Sequence, residues 1–145
     1  MEELEEILLR LDFKKRNEKP KKTIEEIETL IKFQLPLDYK KFLENYMCFE
    51  GSVGKEYIQL WSLEELIETN INYGILDNLT KTIGIGGNGS NEFIAIELTE
   101  EHVYRIVLSP FIDLDKQYHI EIGTSFTDFL TRLETGKEWF ENETE

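Results

Sequence analysis

The spacing of apolar residues changes partway along the chain, and this change constrains the fold more than any other feature. In the first third, apolar residues recur every three or four positions, which is typical of amphipathic helices. Three segments show this spacing: Leu4, Ile7, Leu8 and Leu11; Ile24, Ile27, Leu30 and Ile31; and Tyr39, Phe42, Leu43 and Tyr46. From residue 57 onward, apolar and aromatic residues stand in short runs between turn residues, which is typical of strands.

Five such runs predict strands, at residues 57–61, 82–85, 92–98, 102–108 and 118–122. Thr23, Ser62 and Ser125 are each followed three residues later by an acidic residue, which predicts the start of a helix at each position. Short connections between successive strands favour antiparallel pairing. We therefore predict an α+β fold in which N-terminal helices and a C-terminal helix pack on one side of a mainly antiparallel sheet, as a single domain spanning residues 1–145.

The charge of the chain is large and unevenly distributed. Thirty acidic residues against 16 Lys and Arg give a net charge of −14. Residues 13–22 hold six of the basic residues and one acid, which leaves 10 basic and 29 acidic residues, a net charge of −19, elsewhere. Such a body repels nucleic acid and anionic membranes and attracts basic proteins, so we expect a protein partner. We interpret the basic segment as a solvated loop, because Phe13 is the only aromatic residue near it and a nucleic-acid site normally has several for stacking.

The cysteine content and the N-terminus predict a cytoplasmic protein. A single cysteine, Cys48, excludes an internal disulfide, and the acidic N-terminus lacks the order of a signal peptide. No apolar run approaches the roughly 20 residues that span a bilayer. The strong negative charge also disfavours close self-association, so we expect a monomer or a weak dimer.

Two motifs resemble ligand sites but lack essential parts. Residues 84–89 have the G-x-G-x-x-G spacing of dinucleotide sites, yet a strand follows them where a helix is required, so we interpret them as a hairpin turn with positive φ. Asp113 and Asp115 match the start of a calcium loop, but glycine is missing at the sixth position and glutamate at the twelfth. We therefore expect no cofactor and no metal.

The sequence also offers no evident catalytic machinery. His102, His119 and Cys48 do not stand at the spacings of zinc ligands, and Cys48 is expected to be a small buried side chain at the end of a helix. We therefore predict that the protein is not an enzyme and has no catalytic residue. A hydrolase remains an alternative only if two carboxylates face each other in an apolar cleft.

Six motifs, taken in their order along the chain, resemble a known family. They are the capped helix at 24–28, Leu35-Pro36-Leu37-Asp38-Tyr39-Lys40-Lys41-Phe42-Leu43, residues 58–66, the glycine-rich segment 83–89 with the strand that follows it, Val103-Tyr104-Arg105, and residues 125–130. The chain thereby resembles the SMI1/KNR4 family, part of the SUKH superfamily of bacterial immunity proteins, over about residues 23–133. It departs from the family's usual Asn-Gly-Gly turn at residues 49–51, where we interpret Phe49 as a packing anchor.

The resemblance implies an α+β domain that binds another protein and has no catalytic apparatus. Bacterial members look like immunity proteins against polymorphic toxins, often nucleases, whereas fungal members are linked to cell-wall glucan synthesis. We predict an immunity protein whose acidic surface neutralises a basic toxin domain, and the alternative is a regulatory or scaffold protein without a toxin partner. The candidate contact residues are Trp61, Asp77, Glu92, Glu100, Glu101, Asp113 and Asp115.

Overall fold

Within the described residues, 2–20 and 23–140 of this computed structural model, six strands form one antiparallel sheet in chain order. The strands are β1 (Phe49–Val53), β2 (Glu56–Leu60), β3 (Thr82–Gly87), β4 (Glu92–Leu98), β5 (Tyr104–Pro110) and β6 (Ile120–Gly123). The helices are α1 (Glu2–Arg10), α2 (Ile24–Ile31), α3 (Leu37–Asn45), α4 (Leu63–Asn72), α5 (Ile75–Asn78) and α6 (Phe126–Glu134). The predicted α+β fold is confirmed.

The main hydrophobic core lies between one face of the sheet, here called the inner face, and the helices. Alternate side chains of β3, β4 and β5 point to the inner face, among them Ile83, Ile94 and Ile106, and all three are buried. The apolar stripes of α1, α2, α3 and α6 cover this face, as their spacing predicted. Aromatic rings fill the centre, where Phe126 lies 5.2 Å from Tyr39 between ring centroids.

The opposite face of the sheet, here called the outer face, carries a second and smaller core. This core consists of Phe93, Ala95 and Val107 from the sheet and Ile75 and Leu79 from the region of α5. Phe111 and Leu114, in the loop between β5 and β6, pack against it. The expectation that only one side of the sheet would be covered is therefore wrong. The run of apolar residues in β4 is continuous because that strand is buried on both faces.

Asp38 joins the N-terminal helices to the C-terminal helix. Its Oδ2 atom accepts hydrogen bonds from both the backbone N–H and the hydroxyl of Thr127, each at 2.8 Å. Its Oδ1 atom accepts from the backbone N–H of Tyr39 at 2.8 Å. A charged acceptor that satisfies three donors at the starts of α3 and α6 holds these two helix ends together.

Strand β1 and helix α5 were not predicted. Residues 49–51 were interpreted as a turn, but they pair with β2. Phe49 stacks on Phe13 with ring centroids 4.0 Å apart, which confirms its packing role within a strand instead of a turn. Cys48 is exposed, so its predicted burial is wrong. The reason is that α3 ends at Asn45, and Cys48 lies in the connection to β1 rather than on a helix face.

The first part of the basic segment is docked on the body, and the interpretation of that part as a solvated loop is wrong. The Met47 backbone N–H donates to the Lys14 carbonyl at 2.9 Å. The Arg16 guanidinium donates to both carboxylate oxygens of Glu64, at 3.1 Å each. A bidentate pair of this kind fixes the loop against α4. Positions 21 and 22 of the segment lie outside the described residues.

A buried amide completes the sheet where β2 leaves β3. These strands pair only through Gln59 and Leu60, so Gly84 has no strand beside it on that side. The Asn70 side chain takes that place, since its nitrogen donates to the Gly84 carbonyl at 2.8 Å and its oxygen accepts from the Gly84 N–H at 2.7 Å. Its nitrogen also donates to the Leu66 carbonyl at 2.8 Å. Because Asn70 is fully buried, these bonds fix α4 to the sheet.

We expect Asn70→Ala to lower the free energy of unfolding by about 2–3 kcal/mol, because two buried backbone groups of Gly84 lose their partners. Urea denaturation measures this change. The matched control is Asn45→Ala, since the exposed Asn45 amide also donates to a carbonyl one turn earlier, that of Lys41 at 2.9 Å. The control is expected to change stability by less than about 1 kcal/mol. Equal losses in the two variants would contradict the role given to Asn70.

Candidate protein-binding face

Aromatic side chains from three separate connections lie over the outer face. Trp61 follows β2, Tyr73 follows α4 and Phe111 follows β5. The Phe111 ring lies 4.5 Å from that of Tyr73 and 5.0 Å from that of Phe93, measured between centroids. Trp61 is half-buried against the same small core, and Tyr73 is 54% exposed. Exposed aromatic rings that rest on a buried apolar base are typical of protein-binding hot spots.

Ile112 extends this apolar surface into solvent. It follows Phe111 in the loop between β5 and β6, and 93% of it is exposed. Burying an aliphatic side chain of this size contributes roughly 1.5–3 kcal/mol, none of which the fold gains here. The four residues Trp61, Tyr73, Phe111 and Ile112 are called the outer-face strip below. Their arrangement fits an apolar contact with a second protein.

A cluster of ionic groups holds the same loop on the sheet. The buried carboxylate of Glu97, on β4, accepts from Arg105 Nε at 2.8 Å. Lys116 Nζ lies 3.3 Å from its other oxygen, and His119 Nδ1 lies 3.3 Å from the first. Lys116 and His119 belong to the chain segment that follows Asp115 and leads into β6. The loop is thus tied at one end by Phe111 and at the other by Glu97.

Both Glu97 and His119 have shifted pKa values. Burial alone would raise the pKa of Glu97, but the hydrogen bonds from Arg105 and His119 and the charges of Arg105 and Lys116 outweigh it, so the pKa is lowered. Burial lowers the pKa of His119, and the adjacent Glu97 offsets only part of this effect. The neutral imidazole donates from Nδ1 to Glu97, and its buried Nε2 atom has no partner among the described residues.

Four of the predicted contact residues lie on elements that cover the outer face. Trp61 is half-buried in the outer-face strip, and Asp77 is exposed on α5. Asp113 and Asp115 are exposed in the loop that carries Phe111. Asp115 also caps the turn that follows it. Its carboxylate accepts a hydrogen bond from the Gln117 backbone N–H, and this bond lowers the pKa of Asp115. These four residues therefore lie on elements that contribute to the outer face, whereas Asp77 also lines a cavity beside α2.

The other three predicted contact residues lie elsewhere. Glu92 is half-buried at the start of β4 and accepts from the Asn88 side chain at 2.8 Å, within the β3–β4 turn. Glu100 and Glu101 are exposed in the β4–β5 turn, at the other end of β4. In the β3–β4 connection, Gly89 adopts a φ of 76°, as the predicted hairpin turn requires, but residues 84–87 belong to β3, so the predicted extent of the turn is wrong.

Sequence reasoning did not identify Tyr73, Phe111 and Ile112 as site residues. Tyr73 is the C-terminal cap of α4, and the other two follow the end of β5. No helical or strand periodicity marks them. The available signal was the apolar pair Phe111-Ile112, which directly precedes the acids Asp113 and Asp115 in the connection between β5 and β6. An apolar pair in such a connection indicates either packing on the fold or contact with a partner.

The chemistry of the described residues favours charge contacts over proton transfer. Among the described residues, three carboxyl groups have clearly shifted pKa values, and all three values are lowered: those of Glu97, Asp115 and Glu134. A general acid needs the opposite shift. No group of three His, Cys, Asp or Glu side chains in the described ranges is arranged to hold a metal ion. Among the described helices, none is long and apolar enough to cross a membrane.

We expect the stability of the protein to fall as the pH drops below about 6.5, the ordinary pKa of histidine. Below that pH, His119 takes up a proton in the unfolded chain, but it does not do so in the folded protein, where its pKa is lowered. The lowered pKa of Glu97 acts in the same direction at lower pH, below its ordinary value of 4.5. Urea denaturation at several pH values measures both effects.

His119→Gln removes this proton uptake, so the variant is expected to lose less stability than the unmodified protein between about pH 7 and pH 5. His102→Gln is the matched control, since His102 is exposed in the β4–β5 turn, and its pH dependence is expected to match that of the unmodified protein. An unchanged pH dependence in His119→Gln would show that the buried imidazole does not couple to folding.

Comparison with known proteins assigns the family. No curated protein sequence is significantly similar to this chain. The sequence profile of the SMI1 / KNR4 family (SUKH-1) matches residues 20–132, which is well over half of the chain. The matched region includes the capped helix α2, the Asp38 connection, the glycine-rich β3 and the β5–β6 loop. The chain therefore belongs to the SMI1 / KNR4 family (SUKH-1).

Proposed function

We propose that this protein is an immunity protein that binds a cognate toxin domain through its outer face and neutralises it. The family includes immunity proteins, which supports this class of function. The observation that carries the proposal is the outer-face strip, in which Tyr73 and Ile112 are exposed and Trp61 and Phe111 are half-buried against the small core. The acids Asp77, Asp113 and Asp115 lie on the elements around it. An apolar centre with a charged rim is the usual anatomy of a protein interface.

The charge of the chain supports a basic partner. With a net charge of −14, the protein attracts a cationic surface over distances that exceed direct contact. A nuclease toxin presents such a surface, because it must attract nucleic-acid phosphates. The acids on the outer face would then determine the association rate, and the apolar strip would determine the lifetime of the complex.

The outer face is rigid enough to bind without reorganisation. The β5–β6 loop rests on the small core through Phe111 and Leu114, and Lys116 and His119 fix it to Glu97. A loop that is already ordered before binding avoids the entropy cost of ordering upon contact. We therefore expect the loop to keep its conformation in the complex.

Neutralisation would occur by steric occlusion and not by chemistry. The lowered pKa of the exposed Asp115 keeps its carboxylate charged, which suits an ion pair with a basic partner. The protein would act in the cytoplasm as a monomer or weak dimer, since its own acidic surfaces repel one another. No cofactor, metal or catalytic residue takes part in this proposal.

We expect the protein to bind the toxin encoded beside its gene with an association rate that depends strongly on salt. Between about 50 and 500 mM NaCl the rate should fall at least roughly tenfold, because screening removes the long-range attraction. Biolayer interferometry with the purified toxin domain measures it. Absence of binding at low salt, or the absence of any toxin gene next to this one, would contradict the proposal. Association with a cell-wall regulatory partner would instead favour the scaffold function.

Ile112→Ser is expected to weaken toxin binding by about five- to thirtyfold, mainly through faster dissociation, because it removes an aliphatic contact from the centre of the interface. The matched control is Leu9→Ser on α1, where the side chain is 80% exposed and lies away from the outer face. Both variants should unfold at the same denaturant concentration as the unmodified protein. If both variants bind the toxin as tightly as the unmodified protein does, the outer face is not the binding surface.

A further inference from the structure

Two neighbouring cavities lie beside the outer face, which they border at Asp77 and Lys116. One, of about 600 Å³, lies between the end of α2 and the α4–α5 region, and the other, of about 540 Å³, lies beside the β4–β5 turn. They share Lys32, Thr80 and Lys81 as lining residues, so they are adjacent, and an extended ligand could contact both. Together they are called the α2 groove below.

One end of the α2 groove is aliphatic. Leu30, Ile71 and Leu76 line it, and the first two are 41% and 56% exposed. Apolar side chains that stand together in an open groove leave surface that a ligand can bury. No aromatic ring lines this end, so it offers no stacking partner for a nucleotide base.

The other end of the α2 groove is basic, in contrast to the rest of the molecule. Lys32, Lys81, Lys116 and His102 line the groove, against two acids, Asp77 and Glu100. Lys81 Nζ donates to the Lys32 carbonyl at 2.9 Å, and Lys116 is paired with Glu97. The side chains of Lys32 and His102 make no hydrogen bond or ion pair with any described residue, which leaves them available to an anionic ligand.

The backbone gives an independent reason to single out the basic end. Four non-glycine residues in the described ranges have left-handed φ values, and three of them line this groove: Lys32 at 67°, Lys81 at 49° and His102 at 62°. Glycine adopts this conformation without strain, and it is the preferred residue where Lys32 ends α2. The chain instead places basic side chains at all three positions. Strained backbone that carries chemically active side chains is concentrated at binding sites.

We propose that the α2 groove binds an acidic peptide segment of another protein, with one aliphatic side chain at the Leu30 and Ile71 end and carboxylates at Lys32 and His102. The charge complementarity of the basic end selects the carboxylates, and the aliphatic end selects the apolar residue. The groove borders the outer face at Asp77 and Lys116, but none of the four residues of the outer-face strip lines it, and it fits a partner of opposite charge to the proposed toxin.

Glycine substitutions test this proposal, because they remove the side chain without straining the backbone. Lys32→Gly and His102→Gly are expected to keep or raise the melting temperature, since glycine fits the left-handed conformation. Each should weaken binding of a fluorescein-labelled Leu-Glu-Glu-Asp-Glu peptide by about three- to fivefold in fluorescence anisotropy, as expected for the loss of one exposed charge contact. A Ser-Glu-Glu-Asp-Glu peptide should bind more weakly than the leucine peptide.

Two variants serve as controls. Asp12→Gly makes the same kind of backbone change at the fourth left-handed position, φ 60°, outside the groove. Lys19→Ala removes one positive charge from the basic segment, where it lines another cavity. Both are expected to leave peptide affinity within about twofold of the unmodified protein. The proposal is overturned if the peptide does not bind, if Lys32→Gly binds it as well as the unmodified protein does, or if ATP or phosphatidylserine vesicles bind in its place.

Discussion

The missing side chain at Gly84 is the constraint on which the rest of the structure depends. A Cβ atom there would lie 2.9 Å from Ile75 Cδ1 and 3.1 Å from the Trp61 ring. The absence of that atom allows Trp61 and α5 to cover the outer face of the sheet, and allows the Asn70 amide to pair with the Gly84 backbone. One residue without a side chain therefore permits the second core and the surface proposed for binding.

The β5–β6 loop, which is fixed at both ends, connects the packing on the outer face to the surface proposed for binding. Phe111 rests on Phe93 at one end, and the buried Glu97 holds Lys116 and His119 at the other. A buried carboxylate with several cationic partners adds little net stability compared with apolar packing, but it strongly disfavours alternative positions of the loop. The structure thus uses ionic groups to position exposed apolar side chains.

The sequence predicted those parts of the fold that depend on local patterns. The capping residues predicted helix starts at Thr23, Ser62 and Ser125, and the structure confirms all three. The continuous apolar run predicted the boundaries of β4, which the structure also confirms. Strand β1 escaped prediction because its pairing with β2 is a tertiary contact and Gly51 interrupts the apolar pattern. The outer-face strip escaped for the same reason: Tyr73 and Phe111 are 38 residues apart, and only the folded sheet brings their rings together. Trp61 was the one member of the strip that the sequence singled out.

Hydrogen–deuterium exchange of the protein, alone and in complex with its neighbouring toxin, tests the central claim most directly. Protected amides in the complex should concentrate in residues 111–119 and in α5, which carry and support the outer-face strip. Helices α1 and α3, on the other side of the sheet, should exchange at unchanged rates. Protection confined to α1 and α3, with no change across residues 111–119, would contradict the account.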